Sequence, residues 1–484
     1  MCGIVGIYGN NISKKIEKML ISIKHRGPDS SDLFIKKIFG MGHNLLSIVG
    51  CEGTQPLIRD NLVLVCNGEI YNYRELKNEF NEEFRTDSDC EIILTLINRF
   101  NQGNLKKAVE ETINYLDGDY AFAVYDGKNF AVVRDIVGVK PLYFGEIKED
   151  NTFAFASERK ALWKIGIKDV KTLSPDSMIY NKEILKLKNN LESNINLKLS
   201  KNSKSYHLFK SDLREQLKVN LIKSVKKRVK GLNEVGILFS AGVDSTILAK
   251  IVQDLGIKVT LYCIGNENSV DIKYAEETAQ KMNLPLKTKI IDIKDVEHYL
   301  IPVLEAIEEF NIMKIGVGMP AYIASEMAHK DSIKVMLSGQ GADELFGGYN
   351  RYLRIYEEKG ELAQDDLKKD ILNLYHVNLQ RDDAVTMANS VELRVPYLDL
   401  DIIKTAMNTP MKYKINGKDD NLRKIILREV AAELGVPLEI VNRPKKAAQY
   451  GSGIHKMLKK VLKEEKYKDL QENYNFIDHF YRKY

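Results

Sequence analysis

Two short stretches far apart in the chain carry residue types suited to covalent and phosphate chemistry. Cys2 directly follows Met1, and its small side chain permits removal of the initiator methionine. The freed α-amino group would have a pKa near ~8, so that one residue would supply both a thiol nucleophile and the base that activates it. Taken alone, a cysteine at position 2 is more often accidental, and the residues around it must decide its role.

The second stretch, residues 240–245, reads Ser-Ala-Gly-Val-Asp-Ser and joins an apolar run at 235–239 to a helical pattern that begins near Thr246. This order points backbone N–H groups and a helix N-terminus at one spot, which suits phosphate oxygens. Ser240 and Ser245 add hydroxyl groups, and Asp244 is suited to Mg²⁺. The alternative is an ordinary turn between strand and helix with an N-cap aspartate.

A similar loop follows a second apolar run. Residues 333–337 open into Ser338-Gly339-Gln340-Gly341-Ala342-Asp343-Glu344 and then Leu-Phe-Gly-Gly-Tyr. Two such loops at the carboxyl ends of parallel strands share one crevice, so Asp343 is predicted to be a second metal ligand opposite Asp244. The alternative is a solvated acidic turn at Asp343-Glu344.

Composition limits the class of protein. A chain of 484 residues predicts two domains. The net charge of +5 does not favour nucleic acid, and neither a signal peptide nor an apolar run of membrane-spanning length is present. The five cysteines are scattered and odd in number, without paired metal-ligand spacing, which favours a reducing cytoplasm.

The apolar patterns place these residues on different kinds of element. The first half predicts an α+β domain with antiparallel sheets, from strands at 3–8, 62–66, 121–125, 130–134 and 153–156 and helices at 16–24 and 89–100. A polar stretch at 181–205 predicts the interdomain connection. The second half predicts a parallel sheet, from strands at 235–239, 258–264 and 333–337 that alternate with helices at 246–255 and 275–282. Helices are expected to dominate from about residue 352.

The sequence resembles glutamine-hydrolysing asparagine synthetases along nearly its whole length. The resemblance rests on motifs in the family's order: Met1-Cys2-Gly3-Ile4, His25-Arg26-Gly27-Pro28-Asp29, Gly42-His43, Leu46-Ser47-Ile48-Val49, Gln55-Pro56-Leu57, Asn67-Gly68-Glu69-Ile70-Tyr71-Asn72-Tyr73, Ser88-Asp89-Cys90-Glu91, Arg134-Asp135, Gly138, Pro141-Leu142-Tyr143, Ala156-Ser157-Glu158, the two loops above, Val391-Glu392-Leu393-Arg394-Val395-Pro396-Tyr397-Leu398-Asp399, Lys424, Ile426-Leu427-Arg428 and Arg443-Pro444-Lys445.

For residues 1–190 the resemblance implies an N-terminal-nucleophile (Ntn) hydrolase fold, with stacked antiparallel sheets between helices. Cys2 would attack the glutamine amide to give a thioester, and the Asn67 amide and Gly68 N–H would hold the oxyanion. Glu69 and Asp89, with Asn67, would bind glutamine. On sequence alone Asn67-Gly68 is more typical of a tight hairpin turn.

For residues 205–484 the resemblance implies an α/β ATP pyrophosphatase domain with a helical C-terminal part. ATP would adenylate aspartate, and ammonia arriving through an internal passage would displace AMP. The implied ATP contacts are Ser240, Gly242, Asp244, Ser245, Ile264, Ser338 and Gly339, and the implied Mg²⁺ ligands are Asp244 and Asp343. Lys445 would steady pyrophosphate, although Lys445-Lys446 alone indicates an exposed basic pair. Small-molecule substrates and a homodimer are implied, without nucleic acid or membrane.

Several positions depart from the family's pattern. Leu45 replaces the arginine that pairs with the glutamine α-carboxylate, and Arg26 or Arg59 could substitute for it. Ala241 replaces a glycine, which is harmless if the residue has negative φ and awkward if it does not. Gln340 replaces an acidic residue, and Asn311 and Gly316 replace an aspartate and an arginine near the carboxylate substrate.

Four functions remain open on the sequence. The leading one is asparagine synthesis from aspartate with glutamine or ammonia. The nearest rival is an amidotransferase of the same build acting on another carboxylate, favoured by Gly316 and Gln340. A tRNA-modifying adenylating enzyme would need a basic face and a cysteine pair. A ligand sensor with a degraded site is opposed by the retention of Cys2, Asn67, Asp244, Asp343 and Lys445.

Overall fold

The computed structural model describes residues 2–48, 54–195, 210–444, 452–464, 467, 470 and 476–482. The chain divides into two compact units. The first combines Met1–Leu191 with Met387–Ser390 and Asn473–Tyr484, and the second combines Glu192–Thr386 with Val391–Glu472. Among the described residues, no helix combines the length and the apolar character needed to cross a membrane.

The first unit contains two six-stranded antiparallel sheets. Its strands are β1 (Gly3–Tyr8), β2 (Ser30–Lys36), β3 (Phe39–Leu45), β4 (Leu57–Arg59), β5 (Leu62–Ile70), β6 (Gly118–Tyr125), β7 (Phe130–Arg134), β8 (Tyr143–Ile147), β9 (Thr152–Ala156), β10 (Lys171–Thr172), β11 (Ser177–Tyr180) and β12 (Glu183–Lys186). One sheet has the order β10-β8-β9-β1-β3-β2, and the other has the order β12-β11-β7-β6-β5-β4.

Helices cover the outer face of each sheet in this unit. They are α1 (Ile12–Ser22), α2 (Tyr73–Glu79), α3 (Glu91–Phe100), α4 (Leu105–Thr112) and α5 (Arg159–Trp163). The sheets and helices form four layers, with a helical layer outside each of the two stacked sheets. Strand β5 shows why, because the side chains on both of its faces are apolar and both faces must be covered. Leu62, Leu64 and Cys66 pack towards α3 and α4, whereas Val63 and Val65 pack between the sheets. The predicted α+β fold with stacked antiparallel sheets is confirmed.

The second unit is built on a five-stranded parallel sheet. Its strands are β13 (Glu234–Leu238), β14 (Lys258–Gly265), β15 (Leu286–Ile290), β16 (Val335–Leu337) and β17 (Glu392–Arg394), in the order β15-β14-β13-β16-β17. The chain first moves outward from β13 to β15 and then returns to the other side of β13. The strand order therefore reverses between β13 and β16, which is where α/β sheets open a ligand crevice.

Helices surround this sheet and continue beyond it. They are α6 (Leu191–Ile195), α7 (Lys210–Val229), α8 (Val243–Asp254), α9 (Val270–Met282), α10 (Ile293–Ile307), α11 (Ile312–Lys330), α12 (Ala342–Phe346), α13 (Asn350–Lys359), α14 (Gln364–Leu374), α15 (Gln380–Met387), α16 (Leu400–Asn408), α17 (Ile425–Glu433) and α18 (Leu438–Val441). Helix Ile454–Val461 follows, and helix Phe476–Arg482 belongs to the first unit. The predicted parallel sheet with a helical C-terminal part is confirmed.

The stretch predicted as the interdomain connection is partly regular structure. Residues Glu183–Lys186 form β12, which pairs with β11, and Leu191–Ile195 form α6. Residues 196–209 lie outside the described chain. This edge strand is only four residues long and lies in a Lys/Asn-rich stretch with little periodicity, so the apolar pattern does not reveal it.

A buried ion pair supports β17 and the segment after it. Asp399 accepts a hydrogen bond from Arg228 of α7 at 2.9 Å and caps α16 through the Asp401 N–H. Burial alone would raise the pKa of Asp399, but Arg228 and Lys227 lower it to about 2. The folded-state pKa lies below the unfolded value of 3.8, so the ionised carboxylate stabilises the fold above about pH 4, and this stabilisation is lost as the pH falls towards 2.

Asp399→Asn is expected to lower the free energy of unfolding by about 3 kcal/mol at pH 7, because it leaves Arg228 buried without its counter-charge. The difference from the wild type should shrink between about pH 4 and pH 2. Urea unfolding at several pH values measures both effects. Asp401→Asn is the matched control, because Asp401 is exposed and its pair with Lys223 contributes little. Equal losses of unfolding free energy in Asp399→Asn and Asp401→Asn would show that the buried Asp399–Arg228 pair does not stabilise the fold.

Candidate active sites

The N-terminal strand of the first unit places Cys2 against Asn67. The Cys2 backbone N–H donates to Asn67 Oδ1 at 3.0 Å, and both residues are buried. This bond fixes the orientation of the Asn67 amide. Its Nδ2 atom is buried and has no hydrogen-bond partner among the described residues. Because a buried amide donor without a partner is costly, Nδ2 is suited to an anionic oxygen beside Cys2.

Asn67 and Gly68 lie inside strand β5, opposite Ala121 and Tyr120 of β6. The hairpin turn that these two residues suggest on sequence alone is therefore wrong. Glycine is needed at position 68 because a Cβ atom would come within 2.6 Å of the Asp119 carbonyl oxygen. The Asn-Gly pair here reflects close strand packing and a buried amide rather than a turn.

Three other described thiols are poor nucleophiles. Burial raises the pKa of the Cys66 thiol, and a hydrogen bond with Cys66, together with burial, raises that of Cys90 well above its usual value. Burial raises the pKa of Cys263 to about 12. The thiolate is the reactive form, so these three environments suppress reactivity. Cys51 lies outside the described residues.

The two acidic residues implied in glutamine binding flank the same part of the strand. Glu69 follows Gly68 on β5, and Asp89 accepts a hydrogen bond from the Ile70 N–H at 2.6 Å. Asp89 is thereby tied to the strand that carries Asn67. The structure brings the predicted residues Cys2, Asn67, Gly68, Glu69 and Asp89 together around the first residues of β1 and the end of β5.

Arg26 and Arg59 are the two arginines that could substitute for the family's arginine at position 45, and the guanidinium groups of both already have partners. Arg26 is fully buried, donating to the Cys2 carbonyl oxygen at 3.1 Å and to Glu158 at 2.9 Å. Arg59 donates to Thr95 at 3.1 Å and lies 3.5 Å from Glu82. Both guanidinium groups are engaged in contacts within the first unit.

In the second unit, residues 240–245 connect β13 to α8 as predicted. Gly242 is the N-cap residue of α8, and Asp244 lies in the first turn of that helix, so the alternative with Asp244 as the N-cap is wrong. The Ser240 and Ser245 hydroxyl groups lie 3.4 Å apart. Ala241 has φ of 54°, in the left-handed region that favours glycine, so its departure from the family's glycine is strained.

Ala241→Gly is expected to raise the free energy of unfolding by about 1 kcal/mol, because it removes the left-handed strain while adding some backbone entropy to the unfolded chain. The shift of the urea midpoint of the second unit measures this effect. The same substitution at Ala249, within helix α8, should destabilise the protein. A loss of stability in Ala241→Gly would show that the left-handed conformation carries no strain.

The two glycine-bearing loops meet at the carboxyl edge of the sheet. A Cβ atom on Gly339 would lie 2.9 Å from Asp244 Cβ, which shows how closely the loops approach. A cleft opens between them. It is lined by all but one of the predicted ATP contacts: Ser240, Asp244, Ser245, Ile264, Ser338 and Gly339. Gly242 is the predicted contact that does not line it.

Lys424 joins the two predicted metal ligands. Its Nζ atom lies 2.6 Å from Asp244 Oδ2 and 2.6 Å from Asp343 Oδ1, and the side chain is fully buried. The alternative of a solvated acidic turn is wrong, because Glu344, beside Asp343, is buried in α12. The carboxylates of Asp244 and Asp343 together with the ammonium group of Lys424 carry a net negative charge, so this site is suited to a cation that accompanies phosphate.

This donor set fits Mg²⁺ that arrives with a nucleotide. No group of three or more His, Cys, Asp or Glu side chains within the described ranges is arranged to hold a metal. Mg²⁺ in proteins is often bound by one or two carboxylates together with phosphates and waters. The pair Asp244 and Asp343 satisfies that requirement, with Lys424 sharing the carboxylate charge.

Other cleft residues carry charge that the sequence motifs did not assign. Glu344 accepts hydrogen bonds from Tyr349 at 2.7 Å and Asn378 at 3.0 Å, and burial, with the neighbouring Asp343 carboxylate, raises its pKa to about 7. Arg381 and Asp382 line the same cleft. Lys424 belongs to a recognised motif, so its position could have been suspected, whereas Arg381 and Asp382 have no motif that marks them.

Arg443 holds the first loop from behind. Its guanidinium donates to the Ala241 carbonyl oxygen at 3.2 Å and lies 4.0 Å from the centre of the Tyr274 ring. Lys445, predicted to steady pyrophosphate, lies outside the described residues.

The fold and the two sites define a glutamine amidotransferase domain followed by a synthetase domain with a parallel sheet. A family model for the glutamine amidotransferase domain matches residues 1–196, and a family model for asparagine synthase matches residues 216–369 and 356–481. The chain belongs to the asparagine synthase family, whose members are ligases.

Curated relatives match nearly the whole chain. A Methanocaldococcus jannaschii protein, provisionally named a glutamine-hydrolysing asparagine synthetase, is 44% identical over 100% of this chain and 99% of its own. The glutamine-hydrolysing asparagine synthetase of Zea mays is 30% identical over 89% of this chain and 74% of its own. Asparagine synthetase B of Escherichia coli is 28% identical over 96% of this chain and 84% of its own.

Proposed function

We propose that this protein makes asparagine from aspartate, with ATP as the activating substrate and glutamine or ammonia as the nitrogen donor. The proposal rests on one observation: a single chain of the asparagine synthase family holds both a Cys2–Asn67 pair and two loop aspartates at the carboxyl edge of a parallel sheet. The first arrangement suits amide cleavage, and the second suits nucleotide binding.

The first half-reaction uses Cys2 after removal of Met1. The α-amine takes the thiol proton, and sulfur attacks the glutamine amide carbon. Asn67 Nδ2 and the Gly68 N–H would stabilise the oxyanion, and one such donor contributes about 10²–10³ in rate. Ammonia leaves with the proton from the amine, and water hydrolyses the thioester to glutamate.

The second half-reaction activates the acceptor. A β-carboxylate oxygen of aspartate attacks the α-phosphorus of ATP, and pyrophosphate leaves. Ammonia then attacks the acyl carbon, and AMP leaves as asparagine forms. Ser240, Ser245 and the α8 N-terminus would hold phosphate oxygens, and Lys445 would steady pyrophosphate. Mg²⁺, held by Asp244 and Asp343 when bound, would neutralise phosphate charge.

Purified protein with Mg-ATP and aspartate, supplied with glutamine, ammonium or neither, tests the proposal. Equal amounts of asparagine and pyrophosphate with either donor are expected. Absence of asparagine with both donors would contradict it and direct attention to another carboxylate. A low ratio of glutamine use to ammonium use would measure the effect of Leu45. The cytoplasmic location and the homodimer stay predictions.

The rival hypothesis is that the enzyme amidates a carboxylate other than aspartate, and the observation that favours it concerns Gly316. A Cβ atom on Gly316 would lie 2.9 Å from His455 Nδ1, so an arginine there would require His455 to move. Asn311 caps α11, accepting from the Met313 and Lys314 N–H groups, and so serves the helix. The acceptor's carboxylate must therefore find a cation elsewhere, whichever acid is used.

A further inference from the structure

Helix α11 presents an apolar wall to the cleft of the second unit. Val317, Pro320 and Ala321 line the cleft from this helix, and none carries a charge. Because the family's arginine is absent at Gly316, α11 supplies no cation for an acidic substrate. An arginine and an aspartate that line the cleft from helix α15 supply charge instead.

That pair is Arg381 and Asp382, at the start of α15. Both side chains line the cleft and are 7% exposed. The helix follows a π-helical turn at Tyr375–Leu379, a local distortion that is frequent at functional sites. The stem of Arg381 packs over Gly318 of α11, where a Cβ atom would lie 3.4 Å from Arg381 Cγ. Gly318 thus lets the arginine lie against the apolar wall.

The hydrogen bonds of this pair leave capacity on both members. Arg381 donates to Asp382 Oδ1 from Nε at 2.8 Å and to Asn378 Oδ1 from Nη1 at 3.3 Å, and its Nη2 atom lies 2.7 Å from Asp382 Oδ1. A guanidinium has five N–H groups, so Nη1 and Nη2 each keep at least one N–H group without a partner among the described residues. Asp382 uses Oδ1 for Arg381, and its Oδ2 accepts no hydrogen bond within the described chain.

We propose that Arg381 and Asp382 together bind the α-carboxylate and the α-ammonium of an amino-acid acceptor in this cleft. The inference rests on the proposed function and names its substrate class: an L-α-amino acid with a carboxylate side chain. Arg381 pairs bidentately with the carboxylate, and Asp382 accepts from the ammonium. A carboxylic acid without an amino group satisfies Arg381 but leaves the Asp382 carboxylate unpaired, which a buried site penalises.

The test uses the full chain with saturating Mg-ATP and ammonium while L-aspartate is varied. Arg381→Gln is expected to raise the KM for aspartate by about 30-fold or more, as expected when one partner of a buried charge pair is removed. The KM for ATP should change by less than about threefold, because the nucleotide is held by the two loops. Arg354→Gln, an exposed position on α13, is the matched control.

Asp382→Asn gives a second readout that a structural role would not move. Succinate is aspartate without the α-ammonium group, and pyrophosphate release with each acid measures the preference of the site. The preference for aspartate over succinate should fall by about tenfold or more in Asp382→Asn. Arg381→Lys keeps the charge and should lie between the wild type and Arg381→Gln. Glutamate release from glutamine shows that each variant is folded.

The outcomes separate the inference from the proposed function. If the wild type makes asparagine but Arg381→Gln and Asp382→Asn keep the aspartate KM of the Arg354→Gln control, the inference is wrong and the proposed function stands. If aspartate is inert but another acidic α-amino acid triggers pyrophosphate release, the proposed function is wrong and the inference stands. Pyrophosphate release with succinate but not with aspartate would overturn both.

Discussion

Cys2→Ala is expected to abolish glutamine-dependent asparagine formation and to leave ammonium-dependent formation within about twofold of the wild type. Alanine is small, so Met1 can still be removed, and the α-amine can still donate to Asn67 Oδ1. The variant therefore differs from the wild type by the thiol alone. Without sulfur no thioester forms, and the rate falls to background. Asparagine and glutamate are measured with each donor.

Cys66→Ala provides the control for this prediction. Cys66 is a buried thiol one residue before Asn67, and burial raises its pKa. Its removal should leave glutamine use largely intact. Normal glutamine use by Cys2→Ala, or equal losses in the two variants, would show that Cys2 is not the nucleophile.

Asp244→Asn is expected to lower asparagine formation by about 10³-fold or more with both donors, while glutamate release from glutamine persists. Asp244 is the residue at which the first loop meets Lys424 and Asp343. The neutral amide side chain of the Asp244→Asn variant lacks the negative charge that would hold a phosphate-bound cation. The substitution also removes the carboxylate that pairs with the Lys424 ammonium. Both effects act on ATP use and not on amide cleavage.

The control lies on the same helix. Asp254 is an exposed residue at the last position of α8 and pairs with Lys250, so Asp254→Asn should have little effect on either activity. Pyrophosphate release with aspartate separates loss of adenylation from loss of amide transfer. Asparagine formation in Asp244→Asn near the wild-type rate would remove Asp244 from the proposed ATP site.

The sequence predicts strands and loops best where burial is continuous. Strands 3–8 and 130–134 are confirmed to the residue, because apolar side chains on both faces leave few alternative registers. Helix α9 begins at Val270, five residues before its predicted start, because the N-cap at Ser269, whose side chain accepts a hydrogen bond from the Ile272 N–H, is not revealed by apolar spacing. Short edge strands such as β10 and β12 escape prediction because two and four residues are too few to show a clear alternating pattern.

Site residues are predictable when a motif and a strand end coincide. Asp244 and Asp343 follow this rule, since the carboxyl ends of parallel strands converge. Arg381 and Asp382 do not, because they line the cleft from a helix that no motif marks. Lys424 belongs to a motif, but it contacts the two aspartates from the N-cap of α17 and not from a strand end. The left-handed backbone conformation of Ala241 could not be predicted from the sequence, because alanine rarely adopts a positive φ.

Residues 387–390 and 473–484, which group with the first unit, make that unit discontinuous in the gene. Trp163 stacks on Phe476 and Phe480, and the Ser390 hydroxyl donates to the His25 carbonyl oxygen at 2.6 Å. A fragment ending near residue 190 would expose one face of that indole and leave the His25 carbonyl to water. The glutaminase half is therefore completed only after ribosomal synthesis of the other half, so its maturation is coupled to that of the synthetase within a single polypeptide.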